Sequence, residues 1–279
     1  MDAPHSQVFL PTIFPELFAA WSRFPDAVPF AGGTELISNQ DSRLLILPRN
    51  ILFLNQMDEL RRITRTERYL EVGAMVKLNE IIQLGKIVPK ALSVTLQGIA
   101  GPFLRSVATI GGNLCSVRRH MDAAAAMTAL DARYELRSAA QIRWISASRF
   151  SSLPGSPALN PQELLTRIRI PLEQWDYSFC RKIHPSRPGD SGEGAAVFIA
   201  QIQKNILTEI RVVFAGRIIL RDKNSETFLA GKQLPLDRRE AKQFTDLWKT
   251  YLSAVETPSV ILRAKLLNFI ETGILGLTD

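Results

Sequence analysis

The chain has 279 residues, enough for one large domain or two ordinary ones around a sizeable core. Hydrophobic residues make up 46% and charged residues 22%, which excludes a disordered chain, and no apolar run reaches the ~18–20 residues of a membrane span. The net charge of +7 is dispersed; its densest group, Arg61, Arg62, Arg65 and Arg68, is diluted by Glu59 and Glu67, and no nucleic-acid motif accompanies it.

In chain order, Phe14, Leu17, Phe18 and Trp21 fall on one face of a helix. Leu44–Leu47 and Ile51–Leu54 are short apolar runs suited to buried strands, and Asp58–Leu60 a turn. Tyr69–Ala74 reads as a strand ending in small residues, and Leu78–Ile82 as a helix capped near Lys77–Asn79. Pro89–Ile99 is an amphipathic helix with proline at its start, and Ala-rich Met121–Leu130 is strongly helix-forming. Ala132–Leu136, Ile142–Ile145 and Leu164–Ile170 alternate like strands, the last as a half-buried antiparallel strand that Pro171 ends. Leu153–Pro161 is a loop. A domain boundary is expected near 171. Beyond it lie strands at Ala195–Gln203 and Ile210–Phe214 and helices at Arg238–Tyr251 and Val260–Ile270. The mixture predicts an α+β fold.

Two cysteines, Cys115 and Cys180, are too few for a disulfide framework, and too few to hold an iron–sulfur cluster from this chain alone. Three scattered histidines make no zinc site. The N-terminus lacks a basic segment followed by an apolar run, so no signal peptide is expected, and a reducing, cytoplasmic setting fits.

The most informative segments are two glycine pairs, Ala31-Gly32-Gly33-Thr34-Glu35-Leu36 and Thr109-Ile110-Gly111-Gly112-Asn113-Leu114. A Gly-Gly pair lets backbone N–H groups approach a bulky anion, and successive N–H groups form a concave nest. Two such nests would suit the two phosphates of one dinucleotide. Read alone, each pair also fits an ordinary turn. Neither belongs to a Rossmann G-x-G-x-x-G, and Gly231-Lys232 fails the P-loop pattern because Gln233 follows.

In order and spacing the two segments resemble the AGGTDL and TIGGN motifs of the FAD-binding medium subunits of molybdenum hydroxylases, the xanthine dehydrogenase and carbon monoxide dehydrogenase type. The segments Leu70–Ala74, Glu163–Pro171 and Leu229–Lys232 match that family's surrounding pattern, so the resemblance covers nearly the whole chain. It implies a PCMH-type FAD-binding fold: two α/β subdomains (about 1–56 and 57–171) and a small α/β C-terminal domain (172–279). It implies that Phe30, Ala31, Gly32, Gly33, Thr34, Glu35, Leu36 and Ile37 wrap the FAD pyrophosphate with backbone N–H groups. Thr109, Ile110, Gly111, Gly112 and Asn113 would do the same from the second subdomain. Asp122 would serve the adenosine ribose or orient its loop. Leu165 and Lys182 would lie near the flavin, where a cation favours the reduced form. For Asp122 the plain alternative is a helix N-terminal carboxylate, for Leu165 core packing, for Lys182 exposure to solvent.

Arg118 and Arg119 depart from the family pattern, and Glu35 replaces its commoner aspartate. The function implied is an FAD-dependent electron-transfer subunit. It would work beside an iron–sulfur subunit and a molybdopterin-binding subunit, with NAD+ among the acceptors. The alternatives are a stand-alone flavin oxidoreductase of the same fold, or a structural partner with a decayed flavin site.

Overall fold

The computed structural model describes residues 6–38, 40, 46–116, 122–151, 157–184, 194–255 and 259–278. Leu44, Leu45, Arg118, Arg119, residues 153–156 of the expected 153–161 loop and residues 185–193 therefore lie outside the described residues.

The chain begins with β1 (Gln7–Phe9), α1 (Phe14–Arg23), β2 (Val28–Phe30), α2 (Thr34–Ser38) and β3 (Asn50–Phe53). The strands form a parallel sheet in the order β1-β3-β2. Helix α1 carries Pro15 in its first turn and buries the expected stripe of Phe14, Leu17, Phe18 and Trp21 against Leu52 and Met57. Ile46 and Leu47 are exposed and belong to no strand, so the described part of that apolar run is a correction to the sequence reading.

Next come β4 (Ile63–Arg65), β5 (Tyr69–Gly73), α3 (Leu78–Gln83), α4 (Lys90–Gln97), α5 (Pro102–Arg105) and α6 (Ile110–Leu114). They are followed by α7 (Asp122–Ala129), β6 (Arg133–Arg137), β7 (Ile142–Ser146), α8 (Ala147–Phe150) and β8 (Leu164–Pro171). The sheet runs β4-β5-β8-β6-β7, with every neighbour antiparallel. The last in sequence, β8, is central, and its side chains alternate between core (Ile168, Ile170) and outer face (Arg167, Arg169) as expected.

The remainder is β9 (Tyr177–Ile183), β10 (Gly194–Gln203), β11 (Ile206–Ala215), β12 (Ile219–Leu220), α9 (Lys223–Leu229), α10 (Arg238–Ala254) and α11 (Val260–Leu275). Its antiparallel sheet has the order β12-β11-β10-β9. The mixture of elements is the α+β fold expected from the sequence.

Three features fix the relation of the last sheet to the rest. Every residue of α7 is buried, and its alanines, Ala123–Ala126, are small enough for the helix to lie against α4, β10 and β11 together. Along β10, Ala195, Val197 and Ile199 join the α7 core, while Ala196, Phe198 and Ala200 join a separate core with Phe244 and Phe269. Arg211 of β11 reaches the C-terminal end of α7, donating from Nη1 to the Ala129 carbonyl (2.6 Å) and pairing with Asp131 (2.8 Å).

Candidate functional site: a cleft between the two glycine loops

A cleft of about 1240 Å³ is lined by the β2–α2 loop, the α4–α5 turn, the start of α6, the start of α7 and the end of β9. Ordinary small-molecule pockets hold about 300–1,000 Å³, so there is room for an extended ligand.

The first glycine loop leaves β2 beside this space. Gly33 has φ +68°, and a β-carbon there would lie 2.4 Å from Cζ of Phe30, whose ring is stacked near that of Phe53. At Gly32 the obstacle is the other glycine segment's approach: a β-carbon would lie 2.3 Å from the Val107 carbonyl oxygen. Among the described residues, the backbone N–H groups of Gly32, Gly33 and Thr34 have no protein acceptor. Three donors at the edge of a cleft, two on glycine, are the chemistry that receives a diphosphate.

The second glycine pair behaves differently. It is the first turn of a helix rather than a nest. Thr109 caps it, its Oγ1 accepting from Gly112 N–H at 3.1 Å. Ile110 N–H donates to the Val76 carbonyl and Gly111 N–H to that of Ala74, each at 2.9 Å, and Asn113 N–H to that of Thr109 at 3.0 Å. All four donors from 110 to 113 are thus spent inside the protein. A β-carbon on Gly111 would lie 2.7 Å from that of Ala74, so this glycine is a packing residue. The expectation of a second N–H cradle is corrected accordingly. What the segment offers the cleft is Thr109, Gly112 and the side chain of Asn113, whose Oδ1 accepts from Ala123 N–H at 3.3 Å and leaves Nδ2 as a donor.

Phe30, Ala31, Gly32, Gly33, Thr34, Glu35, Leu36, Thr109, Gly112, Asn113, Asp122 and Lys182 all line this one cleft. Four other expected site residues stand back from it. Ile37 is on the exposed side of α2, Ile110 and Gly111 are packed behind the α6 turn, and Leu165 is buried core on β8. Asp122 and Lys182 form an ion pair, Nζ to Oδ2 at 2.5 Å, with both side chains largely buried. The residues expected to serve the adenosine ribose and the flavin are thus neighbours at one place on the cleft wall. Their rigid placement follows from the α7 N-terminus and from β9, whose end is held by Lys265 donating to the His184 carbonyl at 2.6 Å.

Of the α4–α5 turn the sequence offered only Ile99, as a residue packing near the cofactor or as helix-face core; Gly98, Ala100, Ala108, Ser116 and His184 were missed. Cys115 also lines the cleft, and burial, with Glu35 nearby, pushes its thiol up to about 12. A thiol raised that far stays protonated near neutral pH, and Cys180 is likewise raised to about 12 by burial. No group of three or more metal-ligating side chains occurs among the described residues. Nor is any described helix long and apolar enough to cross a membrane.

A mixed fold with a long cleft between a diphosphate-type loop and a buried ion pair defines a dinucleotide-binding protein without a Rossmann motif. The family profile for the FAD binding domain in molybdopterin dehydrogenase matches residues 4–173, and the chain belongs to that family. FAD is accordingly its cofactor. The xanthine dehydrogenase FAD-binding subunit of Escherichia coli O157:H7 is 30% identical over 154 residues, 53% of this chain and 51% of the relative. The carbon monoxide dehydrogenase medium chain of Afipia carboxidovorans is 30% identical over 176 residues, 62% of this chain and 61% of the relative. The chain thus spans about half to two thirds of these relatives' lengths. Chains of solved structures share the fold: quinoline 2-oxidoreductase from Pseudomonas putida 86 (TM-score 0.82, 22% identity, 100% of this chain and 98% of the other). Carbon monoxide dehydrogenase from Hydrogenophaga pseudoflava superposes equally well (TM-score 0.82, 20% identity, 99% and 98%).

Proposed function

We propose that this chain is a cytoplasmic FAD-binding electron-transfer subunit of a multi-subunit molybdenum hydroxylase. In this reading it takes electrons from an iron–sulfur subunit, itself supplied by a molybdopterin-binding subunit, and delivers them to an acceptor such as NAD+. The observation that carries the reading is the cleft in which the uncommitted N–H groups of Gly32, Gly33 and Thr34 face the same space as Asp122 and Lys182. FAD, when bound, supplies the redox chemistry, and the protein holds and tunes it.

Each residue group then has a task. The Gly32–Thr34 donors hold the diphosphate by backbone hydrogen bonds. Thr109 and Asn113 add side-chain hydrogen bonds from the facing side. Lys182, fixed by Asp122, sets a buried positive charge at the cleft wall. The two free cysteines support an arrangement in which clusters sit on another subunit, since such clusters are usually held by four cysteines. We further read residues 1–171 as the FAD-binding unit, with subdomains of about 1–56 and 57–171, and 172–279 as a C-terminal domain.

Two measurements test this. Purified chain reconstituted with FAD should show the visible flavin bands at one FAD per chain after desalting; a chain that retains none overturns the reading. Affinity purification from the native host should bring down an iron–sulfur protein and a molybdenum protein. A flavin-loaded chain that purifies alone favours a stand-alone flavoprotein instead.

A further inference from the structure

One side chain organises the turn that forms the apolar wall of the cleft. Gly98, Ile99 and Ala100, between α4 and α5, line the cleft together with Leu104. Ala100 has φ +47°, a left-handed conformation that costs a residue with a β-carbon roughly 1–2 kcal/mol. Something must hold it there. The carbonyls of Gln97, Ile99 and Ala100 accept from no backbone N–H among the described residues. Instead all three accept from Nη1 of Arg105, at 2.9, 2.9 and 2.6 Å.

The guanidinium pairs with no carboxylate among the described residues; its charge meets the carbonyl end of α4, the negative end of that helix. Its Nε is buried without a hydrogen-bond partner, so Nη1 and the α5 backbone are what anchor it. Arg105 does not itself line the cleft.

We infer that Arg105 is a positioning residue for the cofactor: by clamping three carbonyls it fixes Ile99 and Ala100 as a flat apolar wall against which a ring of FAD rests. The inference depends on the FAD reading above. A lysine side chain ends one bond short of Nη1, so it reproduces the clamp only in part.

The test uses the full chain with R105A and R105K. FAD affinity and dissociation rate are followed by flavin fluorescence, the ring environment by visible circular dichroism of bound flavin, and the turn by hydrogen exchange at residues 98–101 in the flavin-free protein. R105A should weaken FAD binding at least about tenfold, or about 1.4 kcal/mol, mostly through faster dissociation. It should also change the flavin dichroism and speed exchange in the turn, with R105K intermediate in each. Should R105A fail to fold, R105K carries the test. Wild-type flavin affinity and dichroism in the folded variants, even with a lowered Tm, overturn the positioning role and leave the FAD reading intact. A wild-type chain that binds no FAD removes both.

Discussion

At Gly111 an added methyl would enter a space already filled by the Ala74 side chain and carbonyl, 2.7 and 2.8 Å away. At Gly33 it would meet only the end of the Phe30 ring, in a backbone conformation that alanine dislikes. The two glycines should therefore fail differently. Gly111→Ala should destabilise the fold itself by about 1–3 kcal/mol, read as a lower Tm of the flavin-free chain. Gly33→Ala should cost about 1–2 kcal/mol and weaken FAD uptake more than it weakens folding, because it tilts the free donors. Equal losses of folding and of flavin in both would contradict the division of labour between the loops. The motifs were legible in the sequence as a pair converging on one site. That only the first is a cradle was not, because the partners of Ile110 and Gly111 N–H lie on Ala74 and Val76, more than thirty residues away. The half-buried thiol of Cys115, on the cleft wall, gives a further residue-scale expectation. With its pKa at about 12, alkylation by iodoacetamide at pH 8 should be roughly a thousandfold slower than for an ordinary thiol and recover on denaturation. A rate near that of free cysteine in the folded protein would refute its protonated state.

Among the elements, strands with clean alternation or strong apolar content were readable: β3, β5, β6, β7, β8, β10 and much of β11. So were α1, α4, α7, α10 and α11. Strand β9 was not, although it carries Lys182. Its apolar series of Tyr177, Phe179 and Ile183 is interrupted by Arg181, which lies over the Phe179 ring at 5.3 Å and so packs through its stem. Helix α9 (Lys223–Leu229) has no apolar stripe; Asp222 starts it by accepting from the N–H groups of Asn224 and Ser225. One element-scale ion pair has a testable pH signature. Arg143 of β7 donates from Nε and Nη2 to the Glu163 carboxylate just before β8, 2.6 Å each, and Glu163 is only 1% exposed. Burial pushes the Glu163 carboxyl up, but the Arg143 hydrogen bonds, the Asn160 N–H and the Arg143 charge together bring it below its ordinary value. A lowered folded value means the stabilisation is complete above the ordinary carboxylate range and is lost as pH falls through the folded value. Glu163→Gln should destabilise by about 1–3 kcal/mol at neutral pH and by progressively less in acid, measured by denaturant unfolding across pH. A pH-independent difference would remove the charge argument.

At the scale of the molecule, the site depends on α7, because that helix brings Asp122 to the cleft while its alanines fill the junction with β10 and β11. Ala125→Leu should overpack this junction, cost about 1–3 kcal/mol, and lower both Tm and FAD retention, though residue 125 does not itself line the cleft. Unchanged flavin retention would separate the helix from the site. The alanine content of this helix was plain in the sequence, but its burial on every side was not, since only the folded chain shows β10 and β11 closing over it. The alternation along β10 has a last consequence. One strand supplies odd-numbered residues to one core and even-numbered residues to another, so neither core is able to melt without fraying the ladder that builds the other. The sheet and the helices on its two sides should therefore unfold cooperatively, with intrinsic fluorescence and far-ultraviolet dichroism tracing coincident transitions across them. A fragment ended before this strand would leave α7 with a bare apolar flank and be prone to self-association.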